Sequence, residues 1–109
     1  MPTPADPDAL AWTQLPYPGI RAKVLHHDPE TGDRAALIEL KQGARYQLHD
    51  HPGGEHVLML EGELKAGGQI LRAGQYMHTP AGSPHAVVAL APSRFFVVTP
   101  KGVALLQEP

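Results

Sequence analysis

Apolar and polar residues alternate along most of this chain in short runs, and a repeat of two is the pattern of half-buried β-strands. Such runs lie at residues 20–25, 34–40, 45–51, 55–61, 75–79, 85–90 and 94–99. Turns rich in glycine and proline separate them, and no stretch has the 3.6-residue repeat of an amphipathic helix. The pattern therefore predicts an all-β fold of about eight to ten short strands, arranged as a sandwich or closed barrel.

The chain divides into a short arm and one domain. Residues 1–19 contain five prolines and no regular alternation, which predicts a proline-rich N-terminal arm with Trp12 as an anchor on the outer layer of the core. Residues 20–109 are expected to form a single β-barrel domain, because a chain of this length supplies one hydrophobic core. Hairpin turns are expected at residues 28–33 and at Gly67 and Gly68, and a short closing strand or interface segment at 103–106.

Composition excludes several classes of function. The net charge is −2 and the nine basic residues are scattered, so the clustered positive charge that nucleic acid requires is absent from the sequence. There is no cysteine, which rules out disulfides and thiolate zinc sites and fits a cytoplasmic protein. The longest apolar runs are too short to cross a bilayer. We expect a cytoplasmic protein that binds a small molecule and neither nucleic acid nor membrane.

Candidate metal ligands are concentrated in one segment. His49 and His51 are two residues apart, so on a strand their side chains leave the same face with Cα atoms about 6.6 Å apart. Pro52 and two glycines then turn the chain back, and Glu55 follows; His85 is a fourth candidate. Nitrogen and oxygen donors without sulfur suit transition metals better than calcium or magnesium. The sequence predicts one divalent transition metal ion (Fe2+, Zn2+, Mn2+ or Ni2+), with Glu55 as ligand or, when displaced, as catalytic base.

Strand parity suggests further pocket residues. Arg45 and Gln47 have the parity of His49 on an unbroken strand, so we expect both to line a substrate pocket. Tyr76 and His78 share one face of the strand at 75–79, and they are also candidates for the pocket if that face points inward. The sequence does not decide which face is inside. The strand at 55–61 is apolar on both faces, so a second sheet or the partner in a homodimer is expected to cover its outer side.

Glycine spacing adds a resemblance to a known family. The run Gly43-x5-His49-x-His51-x3-Glu55-x6-Gly62 resembles the first motif of the cupin superfamily, and Gly74-x5-Pro80-x-Gly82-x2-His85 resembles the second. The segments HPGGEHVLMLEG and YMHTPAGSPHA are similar to the cupin-type domain of the ChrR anti-sigma factors and of the small dioxygenases grouped with it. The resemblance implies a jelly-roll β-barrel that holds a metal ion at the two motifs.

The resemblance implies two functions of different classes. The first is a metal-dependent, dioxygenase-like enzyme acting on a small diketone or hydroxyketone. The second is a non-catalytic, zinc-binding sensor or regulatory module of the ChrR type. Anti-sigma factors of that family carry a zinc-binding helical domain before the cupin, where this chain has only the proline-rich arm, so we expect no sigma-factor binding. A barrel with a purely structural metal is a third alternative.

Overall fold

The computed structural model describes residues 2–105, and eleven strands in this range form two antiparallel sheets. One 3-10 turn, Pro7–Ala9, precedes the strands. The strands are β1 (Thr13–Gln14), β2 (Ile20–His27), β3 (Arg34–Leu40), β4 (Arg45–Asp50), β5 (Glu55–Glu61), β6 (Glu63–Ala66), β7 (Gln69–Arg72), β8 (Tyr76–Thr79), β9 (His85–Ala89), β10 (Ser93–Thr99) and β11 (Ala104–Leu105).

The two sheets have the crossed connections of a jelly roll. The larger sheet has the order β1-β2-β3-β10-β5-β8, and the smaller sheet has the order β11-β4-β9-β6-β7. The chain therefore passes from one sheet to the other several times, and strands distant in sequence become neighbours. The predicted all-β jelly-roll fold is confirmed.

The predicted hairpins are present. Strands β2 and β3 pair around the turn at 28–33, and β6 pairs with β7 around Gly67 and Gly68. A short closing strand, β11, pairs with β4; residue 106 of the expected segment lies outside the described residues. No helix in the described range has the length and hydropathy needed to span a membrane.

The hydrophobic core lies between the sheets and follows the alternation of the strands. Ile20, Leu40 and Met59 are at most 1% exposed, and Met59 packs with Val57 on the inner face of β5. Each large apolar side chain buried in this way contributes about 1.5–3 kcal/mol to folding. Met59 is thus a core residue, as its place in an apolar strand suggests.

Part of the N-terminal arm packs onto the barrel. Strand β1 pairs with β2, and Tyr17 is 8% exposed within the core. The ring of Trp12 lies 4.6 Å from the guanidinium of Arg21 and 4.7 Å from the ammonium of Lys23, in cation–π contact on the outer face of the sheet.

The outer face of the larger sheet carries an apolar strip. Leu37, Phe96, Leu58 and Tyr76 lie opposite one another across β3, β10, β5 and β8. Leu58 is 43% exposed and Tyr76 is 52% exposed. The cover that was expected over β5 is therefore not supplied by the second sheet, which packs against the opposite face.

Candidate metal site

Three histidines meet on the inner face of the smaller sheet. His49 in β4 lies directly opposite His85 in β9, and His51 follows immediately after β4. Their ring centroids are 4.6 Å apart for His49 and His51, 4.9 Å for His49 and His85, and 5.6 Å for His51 and His85. One ligand atom from each of these residues lies within 4.8 Å of the others. After small side-chain rotations, a single ion could contact all three.

A tight turn brings Glu55 to the histidines. The N–H of Gly54 donates to the carbonyl of His51 at 2.8 Å, which closes a turn with Pro52 at the position where a fixed φ is favourable. Gly54 has φ +81°, a conformation that a residue with a side chain adopts only with strain. Glu55 then begins β5, with Oε2 2.8 Å from Nε2 of His51 and Oε1 3.8 Å from Nε2 of His85.

The state of the ring nitrogens suits metal binding. Nδ1 of His49 donates to the carbonyl of Gln47 at 2.6 Å, which orients the ring and leaves Nε2 neutral and free to bind an ion. Burial, the largest cause, lowers the pKa of His49, so the neutral form is favoured. His51 is 1% exposed, and among the described residues its Nδ1 has no hydrogen-bond partner. Because burying unpaired polar groups is costly, two buried imidazoles and a half-buried third beside a carboxylate fit a transition metal ion.

Asp50 connects the two loops that carry the ligands. Its Oδ1 accepts a hydrogen bond from the N–H of His51 at 2.9 Å and another from the N–H of Gly82 at 3.1 Å. Gly82 lies in the turn before His85, so one carboxylate fixes the backbone on both sides of the site. Its side chain points away from the cavity, as the parity of β4 suggests.

A cavity of about 240 Å3 lies between the sheets, and the three histidines and Glu55 form part of its wall. The rest of the lining is mainly aliphatic, with Tyr17, Tyr46 and Phe95 as aromatic members. The Tyr46 ring lies 4.7 Å from that of Tyr17 and 4.5 Å from that of His49. Burial, followed by the neighbouring Tyr17, raises the pKa of Tyr46 to about 12. Tyr46 therefore remains a neutral O–H donor beside the metal site.

The structure corrects the placement of the four predicted pocket residues, which do not line the cavity. Arg45 and Gln47 are exposed, because β4 contains a β-bulge between Tyr46 and His49. The extra residue reverses the alternation, so Tyr46 points inward and its neighbours outward. Along β8, Met77 lines the cavity and Thr79 is buried.

Tyr76 and His78 consequently lie on the exposed outer face of β8. The Tyr76 hydroxyl is 2.6 Å from Nδ1 of His56, whose ring is 4.7 Å from that of His78. The sequence did not decide which face of this strand is inside, and the structure shows that Tyr76 and His78 face outward. Neither side chain is part of the cavity.

Four polar residues that line the cavity were not predicted from the sequence: Tyr17, Arg34, Tyr46 and Thr99. The sequence gives no sign that Tyr46 faces the cavity, because the bulge cannot be predicted from the alternation of apolar and polar residues. Arg34 does have such a sign, because it shares the inward parity of Ala36 and Ile38 in β3, and all three line the cavity. A charged residue at an inward position of a strand is unusual enough to mark a pocket.

Together the fold and the site define a jelly-roll β-barrel with a three-histidine, one-carboxylate cluster in its interior. The model of the ChrR cupin-like domain family matches residues 2–103. The chain therefore belongs to the ChrR cupin-like domain family. A comparison with curated proteins finds no match.

Solved structures resemble this fold over nearly the whole chain. One is a protein from Methylibium petroleiphilum PM1 provisionally assigned as an acetylacetone dioxygenase, with 22% identity, a TM-score of 0.91, and coverage of 98% of this chain and 82% of that one. Another is an acetylacetone dioxygenase from Acinetobacter johnsonii, with 17% identity, a TM-score of 0.84, and coverage of 99% and 78%.

A third similar structure is that of Rhodobacter sphaeroides SigE in complex with the anti-sigma ChrR. The matched chain has 23% identity and a TM-score of 0.73, and the match covers 84% of this chain and 49% of that one. At these identities the three likenesses establish the fold, and this chain corresponds to about half of the third relative.

Proposed function

We propose that this protein is a metal-dependent, dioxygenase-like enzyme that acts on a small diketone or hydroxyketone. The observation that carries the proposal is the position of the three histidines in the wall of a largely apolar cavity. In a structural site the protein ligands fill every coordination position and no cavity is needed beside the ion. A catalytic site needs room for substrate beside the ion. The likeness to two structures described as acetylacetone dioxygenases supports the substrate class.

Each residue of the site would have its own role in the proposed reaction. His49, His51 and His85 would hold one divalent ion, which when bound polarises two substrate oxygens and provides redox chemistry toward dioxygen. Glu55 lies against His51 and His85, where its carboxylate can take the acidic proton from the carbon between two carbonyl groups. The protonated hydroxyl of Tyr46 would donate a hydrogen bond to a substrate oxygen, and the aliphatic lining would exclude water.

The cavity limits the size of the substrate. Its volume of about 240 Å3 is below the roughly 300–1,000 Å3 of sites for drug-sized ligands. We therefore expect compact substrates with two oxygens on adjacent or alternate carbons, which can bind one ion through both oxygens.

Oxygen consumption tests this proposal. Protein loaded anaerobically with iron(II) is mixed with acetylacetone or with 3-hydroxybutan-2-one, and uptake is followed with an oxygen electrode. We expect uptake that depends on substrate, is lost in His51→Ala, and is retained in His27→Ala, which removes an exposed imidazole from the end of β2. Zinc-loaded protein is the redox-inactive control. Absence of uptake across a panel of small diketones and hydroxyketones would refute the enzymatic proposal.

The alternative is a zinc-binding sensor or regulatory module. It is supported by the match to the ChrR cupin-like domain model and by the likeness to the SigE–ChrR structure. In that case, zinc-loaded protein would bind a small molecule without turnover and would bind another protein differently in its presence. A sigma factor captured by purified, zinc-loaded protein would favour this function over the enzyme.

We also propose that the apolar strip on the larger sheet is covered by a second copy of the chain. Residues of both signs of charge lie at the edge of the strip, with Glu39 and Glu61 beside Arg94 and Arg21. The same surface on a second copy, related by a two-fold axis, can therefore place opposite charges next to each other. Sedimentation analysis is expected to show a dimer that Leu58→Lys dissociates. Leu90→Lys, at a site 40% exposed after β9, is the control and should leave the dimer intact.

A further inference from the structure

Arg34 occupies an unusual position within the cavity. It begins β3 on the inner face and is paired across the sheet with Thr99 of β10. Val98 lies opposite His56, so continuing this register by one residue places Thr99 beside Glu55. Arg34, Thr99 and Glu55 thus form one cross-strand row on the cavity side. Two strand spacings separate the Cα atoms of Arg34 and Glu55 by about 9–10 Å.

Among the described residues two of the five arginines, Arg34 and Arg45, form no ion pair, and of these only Arg34 lines the cavity. Arg21, Arg72 and Arg94 each form an ion pair with a glutamate. Within residues 2–105, no carboxylate lies within 4.0 Å of the Arg34 guanidinium. Arg34 is half-buried and lines the largely apolar cavity. A cation in such a place is costly unless an anion compensates it, and the cavity offers space for one.

Tyr46 and Glu55 line the same cavity as Arg34. The Tyr46 ring lies 4.5 Å from that of His49, so the phenol stands beside the histidines. Arg34 is the only lysine or arginine among the described residues that line this cavity.

We propose that Arg34 anchors a carboxylate of the substrate, so that the preferred substrate is a short diketo acid rather than a neutral diketone. The two ketone oxygens lie at the histidine cluster, and the carboxylate reaches across the cavity to the planar guanidinium, which is suited to bidentate pairing. This inference rests on the proposed function, because it assumes that the diketone end binds at the metal site. It adds a charged anchor two strands away from Glu55 on the larger sheet.

A matched pair of ligands tests the charge alone. The anion 4,6-dioxoheptanoate and the neutral heptane-2,4-dione share the same 1,3-diketone, and differ in having a terminal carboxylate or a terminal methyl group. Their affinities are measured by calorimetry on zinc-loaded protein, in which no turnover consumes the ligand. We expect the wild-type protein to bind the acid at least about tenfold more tightly, as a charge-assisted pair implies.

Three variants assign the preference to Arg34. In Arg34→Gln the ratio of the two affinities should fall to about one, whereas Arg34→Lys, which keeps the charge without the planar fork, should retain part of it. Arg45→Gln removes an exposed arginine outside the cavity and should keep the full ratio. Thermal melts of each variant, loaded with zinc, establish that it is folded.

The outcomes separate this inference from the function on which it rests. If heptane-2,4-dione binds and the wild-type protein shows no preference for the acid, or if Arg34→Gln retains the preference, the role of Arg34 is refuted while the diketone site stands. If neither ligand binds the zinc-loaded protein, the diketone function and the anchor both fail.

Discussion

The sharpest test of the metal site is the dependence of thermal stability on the ion, compared between wild type and His51→Ala. A ligand that binds only the folded state stabilises it by about 2.7 kcal/mol when its free concentration is 100 times Kd. For a domain of about this size, 1 kcal/mol corresponds to a shift of roughly 4–8 °C in Tm. The wild-type Tm should therefore rise by about 10–20 °C between chelator and saturating zinc or nickel.

The double comparison removes the structural cost of the substitution. His51 is 1% exposed, so replacing it with alanine also leaves a cavity and lowers stability without metal. That loss affects both the chelated and the loaded measurement, and the difference in Tm between them reports binding alone. We expect a difference close to zero for His51→Ala, because only two of the three histidines remain beside Glu55, and an unchanged difference for His27→Ala.

Differential scanning calorimetry supplies the melting temperatures, and mass spectrometry of the purified protein supplies the metal content. A wild-type Tm that is the same in chelator and in excess zinc, nickel, manganese and iron(II) would refute the metal site. The three histidines and Glu55 would then form a polar cluster whose members bond to one another without an ion, as His51 and Glu55 do.

Three further predictions concern single residues around the site. Glu55→Gln should lower iron-dependent oxygen uptake by about a hundredfold or more while mass spectrometry still finds the ion; loss of the ion would instead make Glu55 an essential ligand. Asp50→Ala should weaken zinc binding by about tenfold in calorimetric titration, because His51 and Gly82 lose a shared acceptor; Asp28→Ala, which removes a similar bond within the turn at 28–33, should not. Because the folded-state pKa of Tyr46 is raised to about 12, the folded protein retains a proton that the unfolded chain releases near pH 10, so stability falls as pH rises from 10 to 12. The loss is at most about 2.7 kcal/mol, and chemical unfolding of Tyr46→Phe should lack it.

The fold could be predicted because its signals are local. Alternation with a period of two marks the strands, and the glycine and proline turns between them have their own conformational preferences, which depend little on the rest of the chain. The hairpin of β2 and β3 and the hairpin of β6 and β7 both follow from such signals. The pairing of β10 with β3 and β5 joins segments far apart in the chain, and no local signal predicts it; the resemblance to a known family implied only the jelly-roll barrel as a whole.

The proximity of the four candidate ligands could be predicted for a different reason. His51 and Glu55 are joined by a four-residue turn, so their proximity is fixed by local geometry whatever the rest of the sheet does. His49 and His85 lie opposite each other across β4 and β9, which the two motifs implied through the resemblance. The alternation was needed only between His49 and His51, after the bulge that lies between Tyr46 and His49.

Recognition of the pocket did depend on that alternation, and there the prediction failed. One extra residue between Tyr46 and His49 exchanges the two faces of the strand, so Arg45 points to solvent and Tyr46 lines the cavity beside the histidines. The bulge has no sequence mark here, since it contains neither glycine nor proline. Arg34 lies on β3, where the alternation is regular, so its inward position can be predicted from the sequence. Burying its charge there costs free energy. The charge on the otherwise apolar inward face of β3 is therefore the feature of the sequence that best predicts what the cavity binds.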